Sequence, residues 1–317
     1  MMDNIKMEKI CVVFASDSNY AQHAAVAMVS ILMNTAVPER LSFYLLDDNV
    51  AEPVKEKMRQ SIEQYGAELH FIAVDAEAFG HFFVSGQLSR TAYFRLEMAN
   101  LLPDDVDRAI YLDCDLLVWE DIGILWKYDM KGKPLAAVPD LGIMASSKDW
   151  GRKQQSLGME RTDLYFNSGV LMVDLAQWRS KGYGGQVEQV AMEHDYQHHD
   201  QDALNKVFYR NWEPLPLRWN VIPPVWQLFL KILCRARYRK AAMEARTHIA
   251  ILHYAGGYKP WEYEEYPAFN EGYYRCLEKS RFCDAKMPQF DARRKHRSIH
   301  RQLRRIALAN FWQKIGL

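Results

Sequence analysis

Asp113 and Asp115 stand directly after an apolar run, Ala109-Ile110-Tyr111-Leu112. Residues i and i+2 of an extended chain point to the same side, so the two carboxylates can converge on one cation. Carboxylate oxygens suit a hard divalent ion such as Mn2+ or Mg2+, whose remaining positions substrate phosphates can fill. Asp is also common in turns that follow strands, and D-x-D alone does not separate the two readings. A second element does. His253 ends another apolar run, Ile249-Ala250-Ile251-Leu252, and Gly256-Gly257-Tyr258-Lys259-Pro260-Trp261 follows. An imidazole is compatible with Mn2+, a Gly-Gly pair lets backbone approach a phosphate, and Lys259 would place a point charge there. By itself His253 reads more readily as a hydrogen-bonded core histidine than as a ligand.

The elements that must position these residues alternate. Residues 9–16 read as a buried strand, 20–34 as a helix on Ala24, Met28, Ile31 and Leu32, and 41–46 as a second strand. A helix over 51–65 on Val54, Met58 and Ile62 stops at Gly66, and 70–74 forms a third strand. This rhythm predicts an α/β fold with a mostly parallel sheet, flanking helices and functional loops at the strand C-termini. No GxGxxG follows the first strand. Ser16-Asp17-Ser18-Asn19-Tyr20 stands there instead, which argues against a dehydrogenase. Further along, the pattern predicts a helix over 89–101 capped by Ser89 and one strand over 108–118. Strands at 136–140, 165–175 and 248–256 follow, with a helix starting at Trp178-Arg179 and another over 199–208 opened by Asp200. WNVIPPVW (219–226) is a Pro-rich break, and 227–246 reads as a basic, apolar helical insertion.

The chain has 317 residues with 40 Lys+Arg against 40 Asp+Glu, and at 49% hydrophobic it is neither disordered nor fibrous. No apolar run approaches the roughly 18–20 residues that span a bilayer. The N-terminus lacks the features of a signal peptide, so a cytoplasmic location is expected. The cysteines Cys11, Cys114, Cys234, Cys276 and Cys283 have no CxxC spacing, which fits reduced thiols and implies no zinc site. Charge is unevenly spread. Residues 291–317 carry eight Lys and Arg against Asp291 alone. On a helix, Ile299, Leu303, Ile306 and Ala307 face away from Arg297, Arg301, Arg304 and Arg305, and Phe311 and Trp312 follow. Such a tail can lie on an anionic membrane surface, or dock on its own domain. With the other 290 residues net acidic, no nucleic-acid partner is expected. The domain reading is therefore 1–290 catalytic and 291–317 a C-terminal helical extension.

Six segments together resemble glycosyltransferase family 8, near the bacterial lipopolysaccharide and lipooligosaccharide galactosyl- and glucosyltransferases. They are VVFASDSNY (12–20), LSRTAYFRL (88–96), IYLDCDLLV (110–118), YFNSGVLMVDLAQWR (165–179), HDQDALN (199–205) and HYAGGYKPW (253–261), in the family's order. The resemblance implies a GT-A fold, a UDP-sugar donor, Mn2+ and retention of anomeric configuration. It implies Asp113, Asp115 and His253 as metal ligands. Ala15, Asp17, Asn19, Tyr20 and Cys114 would meet the uridine, Gly256 and Lys259 the phosphates, and Arg95 and Asn167 the donor. Asp140, Asp200 and Gln201 would surround the transferred sugar as catalytic candidates. Ser18 replaces an Asp often found in the family, and residues 227–246 align poorly, leaving the acceptor unread.

The chemistry agrees with these roles. Breaking the anomeric C–O bond leaves negative charge on a diphosphate, which a cation and Lys259 can stabilise. The oxocarbenium-like sugar needs a polar or anionic neighbour, and Asp200 and Gln201 are available. Because an amide is a poor nucleophile, front-side substitution is at least as compatible as a covalent intermediate. The expected activity is hexose transfer, galactose or glucose, to a saccharide or lipid-linked saccharide at the inner membrane face. Two alternatives are a haloacid-dehalogenase-type phosphatase with Asp113 as nucleophile and a non-catalytic sugar-nucleotide-binding protein.

Overall fold

The structure is a computed structural model, and it describes residues 8–75, 77, 90–225, 238–257, 259–262 and 269–285. The expectations for Ser89, Cys234, Tyr258, most of the 227–246 insertion and the tail 291–317 lie outside the described residues.

Near-continuous apolar runs form central strands buried on both faces, as parallel strands covered by helices must be, while the edge strand Glu68–Ala73 is half exposed. The strands are β1 (Ile10–Asp17), β2 (Leu41–Asp48), β3 (Glu68–Ala73), β4 (Arg108–Leu112), β5 (Leu116–Val118), β6 (Leu135–Pro139), β7 (Phe166–Asp174), β8 (Glu213–Pro214) and β9 (Ile251–His253). Seven build one sheet in the order β3-β2-β1-β4-β7-β6-β8. The pairs β3–β2, β2–β1, β1–β4 and β6–β8 are parallel, whereas β7 runs antiparallel to both β4 and β6. The order reverses direction at β1, so the C-terminal ends of β1 and β4 flank a crevice where open α/β sheets bind ligands.

The helix Ala21–Leu32 buries every residue except Gln22. It is enclosed by β5 and by the helices Glu52–Glu63 and Asn270–Glu278. Gly66 takes φ +80° two residues beyond the C-cap Gln64, a backbone region that glycine enters without steric cost. Cys11, Cys114 and Cys276 are buried free thiols and Cys283 is exposed. Among the described residues, no helix is long and apolar enough to cross a membrane.

Three expected elements differ. The predicted strand 108–118 is two strands in two sheets: β4 belongs to the main sheet, while β5 pairs antiparallel with β9 in a separate ladder. Asp113-Cys114-Asp115 is the crossing between them, held by Asp113 N–H on Gly169 O (2.9 Å) and Tyr254 N–H on Asp115 O (2.8 Å). The predicted helix 89–101 is a 3-10 segment, Arg90–Leu96, followed by one α-helical turn, Met98–Leu101. Buried Arg95 is the physical reason, because its guanidinium is drawn into the site and its Nε donates to Ala92 O at 2.8 Å. The last strand is shortened to Ile251–His253, with Ala250 N–H bonded to Arg218 O at 3.0 Å.

Candidate active site

A cavity of about 700 Å³ opens over the C-terminal ends of β1 and β4. Of the site residues expected from the sequence, Ala15, Asp17, Asn19, Tyr20, Arg95, Asp113, Cys114, Asp115, Asn167, Asp200, Gln201, His253, Gly256 and Lys259 all line it. Asp140 lies behind that wall. Its Oδ1 caps the helix Leu141–Ala145 through Ile143 N–H (3.0 Å), and its Oδ2 faces Gln201 Nε2 at 3.3 Å and Asn167 Nδ2 at 3.4 Å.

On one side, Asp17 folds the end of β1 into a turn. Its Oδ1 accepts the Asn19 and Tyr20 N–H groups at 3.0 and 2.9 Å, so both side chains leave from a fixed backbone. The Cys114 thiol donates to Ala15 O at 3.1 Å and ties the β4–β5 crossing to β1.

At the centre, β9 pairs with β5 so that His253 stands opposite Leu116, one residue past Asp115. His253 Nε2 lies 3.0 Å from Asp115 Oδ1 and 3.7 Å from Asp113 Oδ2. One ligand atom from each of Asp113, Asp115 and His253 falls within 4.8 Å of the others. Lys259 donates to the second oxygen of Asp115 and to Tyr254 O (2.8 Å). Burial alone would raise the Asp115 pKa, but Lys259 and then His253 outweigh it and hold the carboxyl well below its ordinary range.

The space between these groups is kept by Gly169. A Cβ there would come within 2.6 Å of Asp113 Oδ2 and collide with the His253 ring. The register of β7 slips beside it: Ala137 pairs with Leu171 but Val138 with Asn167, a bulge of the kind that re-aims side chains next to sites. Two carboxylates and an imidazole nitrogen converging on a space kept clear by glycine form a donor set that fits a divalent cation.

Arg95 closes the floor. Its Nη2 pairs with Asp113 Oδ1 at 3.0 Å and its Nε with Asp200 Oδ2 at 3.2 Å, while Nη1 donates to Ser168 O at 2.8 Å. Burial works against this charge, yet Asp113, Tyr111 and Asp200 more than offset it and hold the pKa above the ordinary value. Asp200 lies in the first turn of the helix His199–Val207 rather than at its N-cap, which is His198. Its carboxylate turns to Arg95, and burial lifts its pKa while Arg95 pulls the other way.

Gln201 is fixed at both ends. Oε1 accepts from Ser168 N–H and Asn167 Nδ2, each at 3.0 Å, and Nε2 donates to Tyr165 Oη at 3.0 Å. Behind it, fully buried Lys153 and Asp202 pair at 2.6 Å, Tyr165 donates to Asp202 Oδ1 at 2.7 Å, and Lys153 also reaches His198 Nδ1 at 2.8 Å.

Residues 11–265 match the family described as Glycosyl transferase family 8. The chain belongs to that family. It is 31% identical over 277 residues to General stress protein A of Bacillus subtilis (strain 168), covering 86% of this chain and 94% of the relative. It is 28% identical over 281 residues to the lipopolysaccharide 1,2-glucosyltransferase of Escherichia coli (strain K12), covering 87% and 80%. Among solved structures, galactosyltransferase LgtC in complex with donor and acceptor sugar analogues superposes with a TM-score of 0.75 at 27% identity, over 88% of this chain and 98% of LgtC. The sheet and its helices are thus the GT-A fold, and the chain is a family 8 glycosyltransferase. Family membership displaces the phosphatase reading of Asp113.

Several neighbours of the site were not singled out in the sequence. Gly169 had a signal, since glycine inside an apolar strand marks close backbone approach. Asn220 sits in the stretch read only as a Pro-rich break, and a single Asn in a loop has too many local roles to be distinctive. Lys153 gave no sign of burial because its partner Asp202 is 49 residues away.

Proposed function

We propose that this glycosyltransferase is a retaining hexosyltransferase that moves galactose or glucose from a UDP-sugar to a saccharide acceptor, lipid-linked as in lipopolysaccharide. The observation that carries this reading is the meeting of Asp113, Asp115 and His253 within 4.8 Å. They meet in a cavity walled by Asp17, Asn19 and Tyr20 on one side and Asn167, Asp200 and Gln201 on another. Two of the relatives, a glucosyltransferase and a galactosyltransferase, support a hexose donor.

Asp113, Asp115 and His253 would hold Mn2+, with Mg2+ as a substitute. When bound, the ion supplies positive charge that stabilises the departing diphosphate. Lys259 adds a second positive charge beside the same carboxylate, and Gly256 at φ +97° lets backbone approach the phosphates closely. The Asp17 turn orients Asn19 and Tyr20 for the uridine. Gln201 and Asn167 present fixed amide groups to the sugar.

The configuration at the anomeric carbon is retained by front-side attack. The acceptor oxygen bonds to C1 on the face the phosphate leaves, the C1–O electron pair stays on the diphosphate, and the acceptor proton passes to that oxygen. Two observations support this over a covalent intermediate: both ends of the Gln201 amide are engaged, and the Asp200 carboxylate is paired with Arg95.

The basic segment 291–317 supports peripheral attachment to an anionic membrane on its cytoplasmic side. The domain division proposed is accordingly 1–290 and 291–317.

The deciding experiment is a panel of UDP-sugars tested for Mn2+-dependent hydrolysis without acceptor. One hexose should stand out, and Asp113→Ala or Asp115→Ala should abolish its turnover. Unchanged turnover in either variant would remove the metal reading, and hydrolysis of p-nitrophenyl phosphate with UDP-hexoses ignored would restore the phosphatase.

A further inference from the structure

We propose that Asn220 is a positioning residue that sets the His253 imidazole as a metal ligand, relaying a constraint that starts at the backbone of Gly169. This rests on the reading of Asp113, Asp115 and His253 as the cation site. Three hydrogen bonds in series fix every atom of the relay. Asn167 Oδ1 accepts the Gly169 N–H at 3.0 Å. A backbone N–H can only donate, so the Asn167 atom facing it is the oxygen. Asn220 Nδ2 donates to that same oxygen at 2.8 Å, which leaves Asn220 Oδ1 toward His253 Nδ1 at 2.9 Å. An amide oxygen can only accept, so Nδ1 carries the hydrogen. Nε2 is left as the nitrogen that faces Asp113 and Asp115 and would give its lone pair to a cation bound between them.

With a cation on Nε2, a ring lacking the Nδ1 hydrogen would set a nitrogen lone pair against the Asn220 oxygen where both residues are 2% exposed, and a buried polar clash of that kind is costly. The backbone keeps the partners in register. Val221 N–H bonds Ile251 O at 2.9 Å and His253 N–H bonds Val221 O at 3.1 Å, so Asn220 cannot shift without moving β9. Asn167 also donates to Gln201 Oε1. The candidate cation site and the Gln201 amide therefore share one hydrogen-bond chain, of which Asn220 is a member that does not line the cavity.

The test is Mn2+ binding followed by electron paramagnetic resonance in the wild type, His253→Ala, Asn220→Leu, Asn220→Asp and the double variant Asn220→Leu/His253→Ala. Asn220→Leu should weaken Mn2+ binding by about 10–100-fold, the usual range for losing a ligand's supporting partner, and His253→Ala, which removes the ligand, by at least as much. The double variant should bind no more weakly than His253→Ala alone, because Asn220 acts through the ring. Asn220→Asp keeps the acceptor for Nδ1–H but turns an oxygen toward Asn167 Oδ1, so its loss should be shallower than that of His253→Ala. Wild-type affinity in a folded Asn220→Leu, losses that multiply in the double variant, or an Asn220→Asp loss as deep as that of His253→Ala would each overturn the relay. If Asn220→Leu does not fold, the Asn220→Asp result still decides. A wild type that binds no Mn2+ would reject the metal reading itself, a result distinct from failure of the relay.

Discussion

Lys259 and Asp115 form a buried ion pair in which the ammonium sits on Oδ2 while His253 approaches the other oxygen at 3.0 Å. The same lysine that would meet a diphosphate is thus engaged with a carboxylate that would meet a cation. A cation bound at Asp115 would compete with Lys259 for that carboxylate. Lys259→Met should bind Mn2+ several-fold more tightly in the absence of nucleotide and bind UDP at least tenfold more weakly in its presence, roughly 1.4 kcal/mol. Calorimetric titrations with each ligand separate the two effects, and weaker Mn2+ binding by the variant would contradict the competition.

Gly169 and Gly185 make a matched pair of substitutions. Gly169→Ala drives a methyl against His253 and Asp113, and overpacking of this sort costs about 1–3 kcal/mol. Donor hydrolysis should fall by about two orders of magnitude as the ligands are pushed apart. Gly185 lies in the helix Tyr183–Glu193 with nothing within 4 Å of a built Cβ. Gly185→Ala should therefore raise stability by about 0.5–1 kcal/mol and leave turnover unchanged. Thermal melts read beside hydrolysis rates check both.

The Lys153–Asp202 pair is buried on both sides, at 1% and 0% side-chain exposure. Removing one partner strands a charge, so Lys153→Met should cost about 3–5 kcal/mol. Lys153→Met with Asp202→Asn should recover part of that loss. Urea unfolding midpoints of the single and double variants measure it; additive losses would mean that the two residues do not act as a pair.

His23 gives the fold an acid sensitivity. It stacks on Trp261 with ring centres 3.8 Å apart and its Nδ1 lies 2.6 Å from Tyr273 Oη. Burial, with Lys259 in support and Asp115 in opposition, pushes its pKa down to about 3. Because the folded value is below the unfolded one near 6.5, stability is full above about pH 6.5 and is lost as pH falls toward about 3, by up to about 1.4 kcal/mol per unit. His23→Phe keeps the stacked ring and removes the titration. Its urea midpoint should change less between pH 7.5 and 5 than that of the wild type, and equal changes would assign the sensitivity elsewhere.

Buried parallel strands announce themselves as unbroken apolar runs, so β1, β2 and the helix Ala21–Leu32 between them were legible to within two residues. Hydrophobic period carries no mark where a chain leaves one sheet for another, so β4 and β5 were merged. The i, i+2 argument for Asp113 and Asp115 reached the right neighbours through the wrong backbone, because a crossing rather than a strand aims them. Side chains whose role depends on distant partners stayed hidden. Asp140, which the resemblance placed beside the sugar, stands behind Asn167 and Gln201. Asn220 became visible only once β9 lay next to it.

The acidic crossing is also the covalent bridge between the seven-stranded sheet and the β5–β9 ladder. Asp115 and His253 ride on the ladder, whereas Asp113 and Gly169 ride on the sheet. A tilt of one against the other changes the gap between the acids directly. The ladder packs through β5 on the helix Ala21–Leu32, so substitutions in that layer, far from the cavity, bear on the gap between the two acids.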